Sequence, residues 1–485
     1  MFRTHHNFSL YSPSHSLQQI FLFQKSDLKP HRRVDSAKDV NLKSMNPVRF
    51  EDSCGIGPSS PSCCCKIKSW WQKEMCGVNS TAENTLSHNE NTEKCDQLEK
   101  SLSETLTRYY PLAGTYIKED FVVDCNDEGV ELSRAKVNGQ LAEITRGRTE
   151  TKLLDAFLPN PLDLARLVPL PVLAVHINMF DCGGIAIGIR ILHNTGDGVS
   201  LCVFVKEWAT RNQSIGVNNN QEPVCNPSFE LGSLFPAREL VGLKPVLPGE
   251  FTANKKLITK SFLFDGATIS ALKAEAMASG SELKPSRVLV VTAHVWKTLI
   301  QISQAKHGRL RPSLMSFAMS LRGRIRFNIP ENSFGTLVSH TTVRYKADES
   351  SMELNALAGL LRNAITKTSN NYAKARHGDE IYSMLIDYYN EIGGDKPAEV
   401  DLCRFTSWCG FPYYEIDFGW GKPGWIATPS KFVEIVFLYD TKCGDGIEAW
   451  VTLNEDDMVE FECRYQRKSL GTKALYQQRS LRSAM

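Results

Sequence analysis

The stretch GGIAIGIRILHNTGDG, residues 183–198, indicates a buried strand that runs directly into a turn. Its isoleucines stand at every second position, which is the period of a packed strand: Ile185, Ile187, Ile189 and Ile191. Beyond the turn, apolar residues recur at the spacing of an amphipathic helix: Leu201, Phe204, Val205 and Trp208. His193 and Asp197 therefore lie on a strand-to-helix turn, where rigid elements can hold functional side chains.

The residues before this stretch extend the same unit. VLAVHINMF, residues 172–180, predicts a second strand that forms a hairpin with the isoleucine strand through the turn 181–184. Further upstream, Asp96 and Glu99 resemble a capping box, which predicts that a helix begins there and ends at Pro111.

The second half of the chain repeats this alternation of strand and helix. KKLITKSFLFD, residues 255–265, predicts a strand, and ATISALKAEAMA, residues 267–278, a helix that Asp265 can cap. A longer helix is predicted over residues 286–305. The Pro- and Asn-rich stretch 212–248 reads as a crossover loop between two domains. The fold class expected is α/β, with mixed α+β sheets and helices packed on them.

Composition limits the function classes. With 485 residues, 42% hydrophobic and 23% charged, the chain can bury two sizeable cores. A net charge of +2, without a basic stretch carrying aromatics, argues against a nucleic-acid partner. The most apolar segment, 167–192, is interrupted by His176, Asp181 and Arg190, well short of the ~20 apolar residues of a membrane span. We therefore expect neither nucleic acid nor membrane as a partner.

The fourteen cysteines do not form the dense framework of a small disulfide-rich domain, so we expect reduced, cytosolic thiols. Six of them lie in the first 95 residues: Cys54, Cys63, Cys64, Cys65, Cys76 and Cys95. Structural zinc sites space their ligands as CxxC pairs, and no histidine pair with ligand spacing lies near these cysteines. No metal site is expected.

His193 has two interpretations from the residues alone. A neutral imidazole is well matched to proton transfer near pH 7, so His193 is a candidate general base. It can equally be a satisfied core residue, with Asp197 serving only as the N-cap of the next helix. Of the other histidines after residue 95, His176 and His294 lie within strand-like or helical runs, and His307, His340 and His377 lack a supporting motif.

A second motif far downstream distinguishes between these interpretations. FTSWCGFPYYEIDFGWGKP, residues 405–423, contains an intact DFGWG block at 417–421. Together with HNTGDG, residues 193–198, it resembles the plant BAHD acyltransferases, which pair an HxxxD loop with DFGWG. Four other stretches resemble the same family: LTRYYPLAG (106–114), DCNDEGVELSRAKV (124–137), SLRGR (320–324) and DTKCGDGIEAWVTLNEDDM (440–458). The DCNDEGV and FTSWC motifs are similar to those of the vinorine synthase-like alkaloid O-acetyltransferases.

The resemblance implies an architecture of two chloramphenicol acetyltransferase-like domains with the active-site channel at their interface. It covers roughly residues 96–460 of this chain. On this plan we expect an irregular extension at 1–95, a first domain carrying HxxxD at 96–211, the crossover loop 212–248, and a second domain carrying DFGWG at 249–485, of which about 417–440 crosses back to the first.

Roles for the site residues follow from the same resemblance. It implies that His193 is the general base and that Asp197 turns away from the reacting centre to pair with Arg322. Trp408, with Thr406 beside it, matches the position of an oxyanion donor, although either side chain can instead be buried packing. Cys182 and Cys202 are the rival nucleophiles, but neither lies in a Cys-His motif, so direct attack without an acyl-enzyme is expected.

The resemblance also points to acyl-CoA as a co-substrate and to no tightly bound cofactor. Four residues of the DFGWG block are implied to shape the coenzyme A surface: Asp417, Gly419, Trp420 and Gly421. Lys284 and Ser286 match a phosphate-binding stretch loosely, with a helix cap and a solvated lysine as the alternative. The chain departs from the family at Gly335-Thr336, where Gly-Asn is usual and where we expect the coenzyme to lie nearby.

The function expected is transfer of an acetyl group from acetyl-CoA to a hydroxyl of a plant specialised metabolite, an alkaloid-type alcohol, by a monomeric cytoplasmic enzyme. Terpenoid, benzyl-type and sugar alcohols remain alternatives as acceptors. A different class of hypothesis is an inactive or ligand-binding homologue, suggested by the irregular first 95 residues.

Overall fold

The computed structural model describes the chain in segments. These are residues 2–3, 16–24, 67–71, 82–117, 122–146, 151–159, 170–215, 226–235, 256–277, 284–326, 329–330, 332–348, 350–394, 399–429 and 433–466. Expectations for residues 29–66, for most of the crossover loop 212–248 and for the tail after residue 466 lie outside the described residues.

The regular elements are numbered in chain order. The strands are β1 Phe2–Arg3, β2 Ser16–Phe23, β3 Ile67–Trp71, β4 Thr115–Ile117, β5 Val122–Asp124, β6 Val130–Val137, β7 Leu170–Pro171, β8 Leu173–Phe180, β9 Ile185–Leu192, β10 Leu257–Phe264, β11 Ser313–Ser320, β12 Val338–Tyr345, β13 Asp401–Ser407, β14 Trp425–Ala427, β15 Ile435–Asp440 and β16 Ile447–Asn454. The helices are α1 Ala82–Leu106, α2 Leu141–Arg146, α3 Gly198–Ser214, α4 Leu231–Leu234, α5 Gly266–Met277, α6 Arg287–His307, α7 Leu354–Tyr372 and α8 Gly378–Gly393. Short 3-10 helices cover Tyr110–Ala113, Thr151–Phe157 and Tyr413–Glu415.

The first six-stranded sheet has the order β14-β2-β9-β8-β6-β3. The predicted hairpin is present, because β8 and β9 pair antiparallel with Ile177 opposite Ile187. β6 runs parallel to β8, which makes the sheet mixed. The isoleucines of β9 join buried side chains of α1 and α3 in one apolar cluster. Their alternation is therefore what fixes the strand ahead of His193.

The second six-stranded sheet has the order β10-β16-β15-β13-β11-β12. Its inner strands β11, β13 and β15 are parallel, and the flanking pairs are antiparallel. Helices α5, α6 and α7 contribute to the apolar cluster against this sheet. Asp265 caps α5 as expected, since its carboxylate accepts a hydrogen bond from Thr268 N at 2.7 Å. The expected mixed sheets with packed helices are confirmed. A smaller sheet has the order β1-β5-β4-β7.

One strand of the first sheet comes from the far end of the sequence. After β13 the chain leaves the second sheet, adds β14 to the edge of β2 and returns as β15. The fully buried Gln19 of β2 donates to the carbonyl oxygen of Ala427 at 3.2 Å. Tyr439 of β15 donates to Oε1 of Gln19 at 3.2 Å. Buried polar groups thus join the two sheets where β14 crosses.

Two features near the N-terminus differ from the expectations. Residues 16–23, expected within an irregular extension, form a strand between β14 and β9. The helix start at Asp96 is wrong, because α1 begins at Ala82. Asp96 and Glu99 lie inside this helix and both bind the buried Arg134 of β6 instead of capping. Pairing offsets the cost of burying the guanidinium.

No helix among the described residues is long and apolar enough to cross a membrane.

Candidate active site

The site begins where β9 ends. Residues 193–197 form the turn, and α3 starts at Gly198. Asp197 is the N-cap of α3, with an extended backbone and a carboxylate that accepts from Ser200 N at 2.9 Å. The strand and the helix are both buried in the first apolar cluster. His193 is therefore held between two rigid elements.

His193 is partly buried at this turn. Burial lowers the pKa of its ring below the ordinary value of 6.5, while a hydrogen bond between the ring and the backbone of the same residue and the charge of Asp197 act in the opposite direction. The balance leaves the imidazole neutral near pH 7, the form that accepts a proton.

Asp197 is bound by groups other than the imidazole. Arg322 Nη1 donates to its Oδ2, and Leu337 N donates to the same oxygen at 3.0 Å. Burial alone would raise the pKa of Asp197, but Arg322 and the hydrogen bonds from Ser200 and Leu337 outweigh it and hold the pKa below the ordinary range. The carboxylate is therefore ionised and fixes the turn.

Arg322 lies just after β11 and ties a second segment to the turn. Its Nη2 donates to Ser200 Oγ at 3.1 Å and to the carbonyl oxygens of Ser333 at 3.3 Å and Gly335 at 3.0 Å. The planar guanidinium can serve several acceptors at once, which a lysine cannot do. These hydrogen bonds hold segment 333–337 against the start of α3.

Thr336, in this segment, was not assigned a role by the sequence. Its hydroxyl donates to the carbonyl oxygen of His193 at 2.5 Å, and its side chain is fully buried. The departure at Gly335-Thr336 thus contacts the His193 turn itself, and the expectation that the coenzyme lies nearby stays a prediction. A single sequence holds no local signal for this contact, because the two residues are 143 positions apart.

Trp408 follows β13 and lies against the first residue of α3. A Cβ on Gly198 would stand 2.7 Å from Cε2 of the indole. Tyr413 stacks on Trp408 with ring centroids 5.5 Å apart and donates its hydroxyl to the carbonyl oxygen of Gly198 at 2.7 Å. The structure therefore brings Trp408 to the turn that carries His193. Thr406, two residues earlier in β13, is partly buried.

Replacement of Gly198 by alanine is expected to displace Trp408, because a carbon at 2.7 Å cannot be accommodated without movement. We expect a loss of about 1–3 kcal/mol in unfolding free energy, the usual cost of overpacking, together with lower turnover. Gly359→Ala in α7 is the matched control, since its Cβ would meet nothing within 4 Å. Equal stability of the two variants in urea unfolding would contradict the expected clash.

The DFGWG block lies at the other end of α3. Asn212 Nδ2 donates to the carbonyl oxygen of Phe418 at 2.7 Å. The Phe418 ring is fully buried and meets Trp208 edge-on at 5.0 Å. Asp417 accepts from the backbone N–H groups of Gly419 and Gly421 at 2.7 and 3.0 Å.

The backbone of this block needs its glycines. Gly419 and Gly421 have φ of 103° and 111°, which side-chain-bearing residues rarely adopt. Trp420 stacks on Phe418 with centroids 5.7 Å apart. The block contacts α3, Phe23 of β2 and Lys94 of α1, and its expected part in binding coenzyme A stays a prediction.

Lys284 and Ser286 lie at the start of α6. Ser286 is the N-cap, and its hydroxyl accepts from Leu289 N at 3.1 Å. Lys284 is exposed. Their geometry is that of the alternative interpretation, a helix cap and a solvated lysine, and a role for them in binding phosphate stays a prediction.

His340 of β12 is a buried histidine near His193, and no sequence motif predicts its position there. Its ring stacks on Tyr388 of α8 at 4.8 Å. Burial lowers the pKa of His340 to about 3, and the charge of Arg404, as well as that of His193 when it is protonated, acts in the same direction. By contrast, His176 Nδ1 lies 2.6 Å from Ser133 Oγ within the first sheet, which fits a structural residue.

The described residues contain no group of three or more His, Cys, Asp or Glu that could hold a metal ion.

The chain is similar in sequence to two plant proteins. Stemmadenine O-acetyltransferase of Catharanthus roseus is 34% identical over 375 residues, which are 76% of this chain and 82% of that protein. Limonoid 7-O-acetyltransferase of Citrus sinensis is 31% identical over 388 residues, 77% of this chain and 83% of that protein. Both are named as O-acetyltransferases.

The fold has a solved counterpart as well. The crystal structure of vinorine synthase superposes with a TM-score of 0.65 at 26% identity, covering 95% of this chain and 91% of that one. The expected two-domain, chloramphenicol acetyltransferase-like fold is confirmed by this match. The model of the transferase family matches residues 75–467. With its HxxxD turn and DFGWG block in place, this chain belongs to that family, the BAHD acyltransferases.

Proposed function

We propose that this chain transfers the acetyl group of acetyl-CoA to a hydroxyl of a plant specialised metabolite. The observation that carries the proposal is the position of His193 at a rigid turn, where burial lowers the pKa of its ring and the Asp197 carboxylate is bound to Arg322. A neutral imidazole suits a general base, and the ion pair between Asp197 and Arg322 holds the turn in place.

The reaction follows from this arrangement. The acceptor hydroxyl attacks the thioester carbonyl carbon while His193 takes its proton, which forms a C–O bond and a tetrahedral oxyanion. The oxyanion collapses, the C–S bond breaks, and the imidazolium returns the proton to the leaving coenzyme A thiolate. The products are an acetate ester and free coenzyme A, and no acyl-enzyme is needed.

The proposed donors for the oxyanion belong to β13 and to the residue that follows it. The indole of Trp408 lies against Gly198, five residues after His193. An indole N–H or the Thr406 hydroxyl can stabilise the negative charge that develops on the carbonyl oxygen. Asp197 is unsuited to this task because it is ionised and paired.

The proposed acceptor is a bulky, largely apolar alcohol of the alkaloid type. Relatives are named for a stemmadenine and for a limonoid acceptor, which supports the O-acetyl reaction and leaves the ring system open. The test is a panel of alkaloid, terpenoid, benzyl-type and sugar alcohols with acetyl-CoA, followed by release of free coenzyme A. Transfer only to amines, or only from aromatic acyl-CoA donors, would overturn the proposal.

The pH dependence of the reaction should report the His193 pKa. Because the ring acts as a base, kcat/KM should fall as pH drops through the pKa and level off above it. Burial lowers that pKa, so the midpoint of the acid limb should lie below 6.5. Initial rates of coenzyme A release between pH 5 and 8 measure it. A midpoint above 6.5 would contradict a desolvated, neutral base.

A further inference from the structure

Three consecutive residues from the second half of the chain hold the turn that carries His193. The carbonyl oxygen of Gly335 accepts from Asp197 N at 3.4 Å, and Leu337 N donates to the Asp197 carboxylate at 3.0 Å. Between them, the Thr336 hydroxyl donates to the carbonyl oxygen of His193 at 2.5 Å. Of the three, Thr336 is the one that acts on His193 itself.

We propose that Thr336 is a positioning residue that orients the His193 imidazole for proton transfer. Its hydroxyl fixes the peptide plane that follows His193, and its burial excludes water from that bond. A shift of that plane would redirect the carbonyl oxygen. This inference rests on the proposed acyl transfer with His193 as base.

The ring is sensitive to that peptide plane. The carbonyl group that Thr336 holds belongs to His193 itself, so fixing this peptide plane fixes the direction from which the imidazole extends. Nδ1 is the ring nitrogen nearest the main chain and is buried, which leaves Nε2 to face the acceptor hydroxyl. Thr336 therefore helps to set where the ring points.

The side chains around Thr336 leave the segment little freedom to replace this bond. The Phe334 ring approaches the position of a Cβ on Gly196 to 3.2 Å, and the ring also meets Tyr109 edge-on at 5.5 Å. Ser200 Oγ accepts from Gly335 N at 3.0 Å. With both neighbours of Thr336 fixed, removal of its hydroxyl cannot be repaired by a shift of the backbone.

The test compares Thr336→Val, which removes the hydroxyl at nearly constant volume, with Thr336→Ser, which keeps it. Thr259→Val is the matched control, because Thr259 is equally buried and its hydroxyl bonds Thr452 at 2.9 Å in β10, at the sheet edge opposite β12. We expect Thr336→Val to lower kcat about tenfold with the KM for acetyl-CoA nearly unchanged, as for loss of one buried hydrogen bond that acts on the base. Thr336→Ser and Thr259→Val should retain kcat within about twofold.

A second measurement needs no acceptor. Diethyl pyrocarbonate modifies neutral imidazoles, and the rate at His193 can be followed by mass spectrometry in each folded variant. We expect faster modification of His193 in Thr336→Val alone, because its ring is less firmly held. Equal His193 reactivity in all variants, an unchanged kcat in Thr336→Val, or an equal loss in Thr336→Ser would overturn the positioning role. If the wild-type protein transfers no acetyl group, the proposed function fails, whereas the reactivity comparison still decides the role of Thr336.

Discussion

Replacement of His193 by alanine is expected to lower kcat for acetyl transfer by roughly 10²–10⁴-fold, the range attributed to a positioned general base. The reason is that the acceptor hydroxyl would then lose its proton to water during attack on the thioester. Release of free coenzyme A in the presence of a saturating acceptor measures the effect. The KM for acetyl-CoA should change little, because the imidazole acts in the transition state.

Two further variants make this result specific. His193→Gln retains much of the side-chain volume and should be nearly as slow as the alanine variant, which separates proton transfer from packing. His307→Ala removes an exposed histidine from the last position of α6 and should leave turnover unchanged. Wild-type turnover in both His193 variants would remove His193 from the chemistry.

The second large effect is expected at the ion pair between Asp197 and Arg322. Asp197 is 1% exposed and Arg322 15% exposed, so removal of either partner leaves a charge in a poorly solvated place. Breaking a buried pair from one side typically costs about 3–5 kcal/mol in unfolding free energy. Asp197→Ala and Arg322→Ala should each approach that loss, and both should lower turnover because the His193 turn loosens.

A double-mutant cycle tests the coupling. The combined Asp197→Ala, Arg322→Ala variant should lose much less than the sum of the single losses, because neither charge is then left alone. The exposed pair Lys256 and Glu455, with side chains 69% and 52% exposed, is the control, and its alanine variants should change stability by at most about 1 kcal/mol. Additive losses at Asp197 and Arg322 in urea unfolding would show that the pair is not the unit that holds the turn.

The hairpin β8–β9 and the start of α3 could be predicted from sequence because their apolar periods run without interruption. β2 was harder, since its sequence SLQQIFLF places Gln18 and Gln19 at positions that proved to be buried. Gln19 is tolerated there because Ala427 and Tyr439 satisfy its amide, and both are distant in sequence. A strand stabilised in this way has no local signature.

The candidate site likewise contains features that local sequence rules predict and features that depend on distant residues. The N-cap role of Asp197 follows from local rules, whereas its pairing with Arg322, 125 positions away, came only from family resemblance. Thr336 and His340 reach the site through the packing of the second sheet against the turn, and neither carries a sequence signal of its own. Contacts between segments that are distant in the chain are the features of the fold and the site that local patterns in a single sequence do not predict.

The exchange of β14 into the first sheet has a consequence for how the protein is made. Gln19 and its partner Ala427 are 408 positions apart, so β2 must wait for almost the whole chain to leave the ribosome. At about 5–20 residues per second, that delay is on the order of 20–80 s. During it, one edge of β2 has no strand to pair with, which is the condition under which nascent chains recruit chaperones or aggregate. A polypeptide that stops before residue 425 would keep that edge bare permanently.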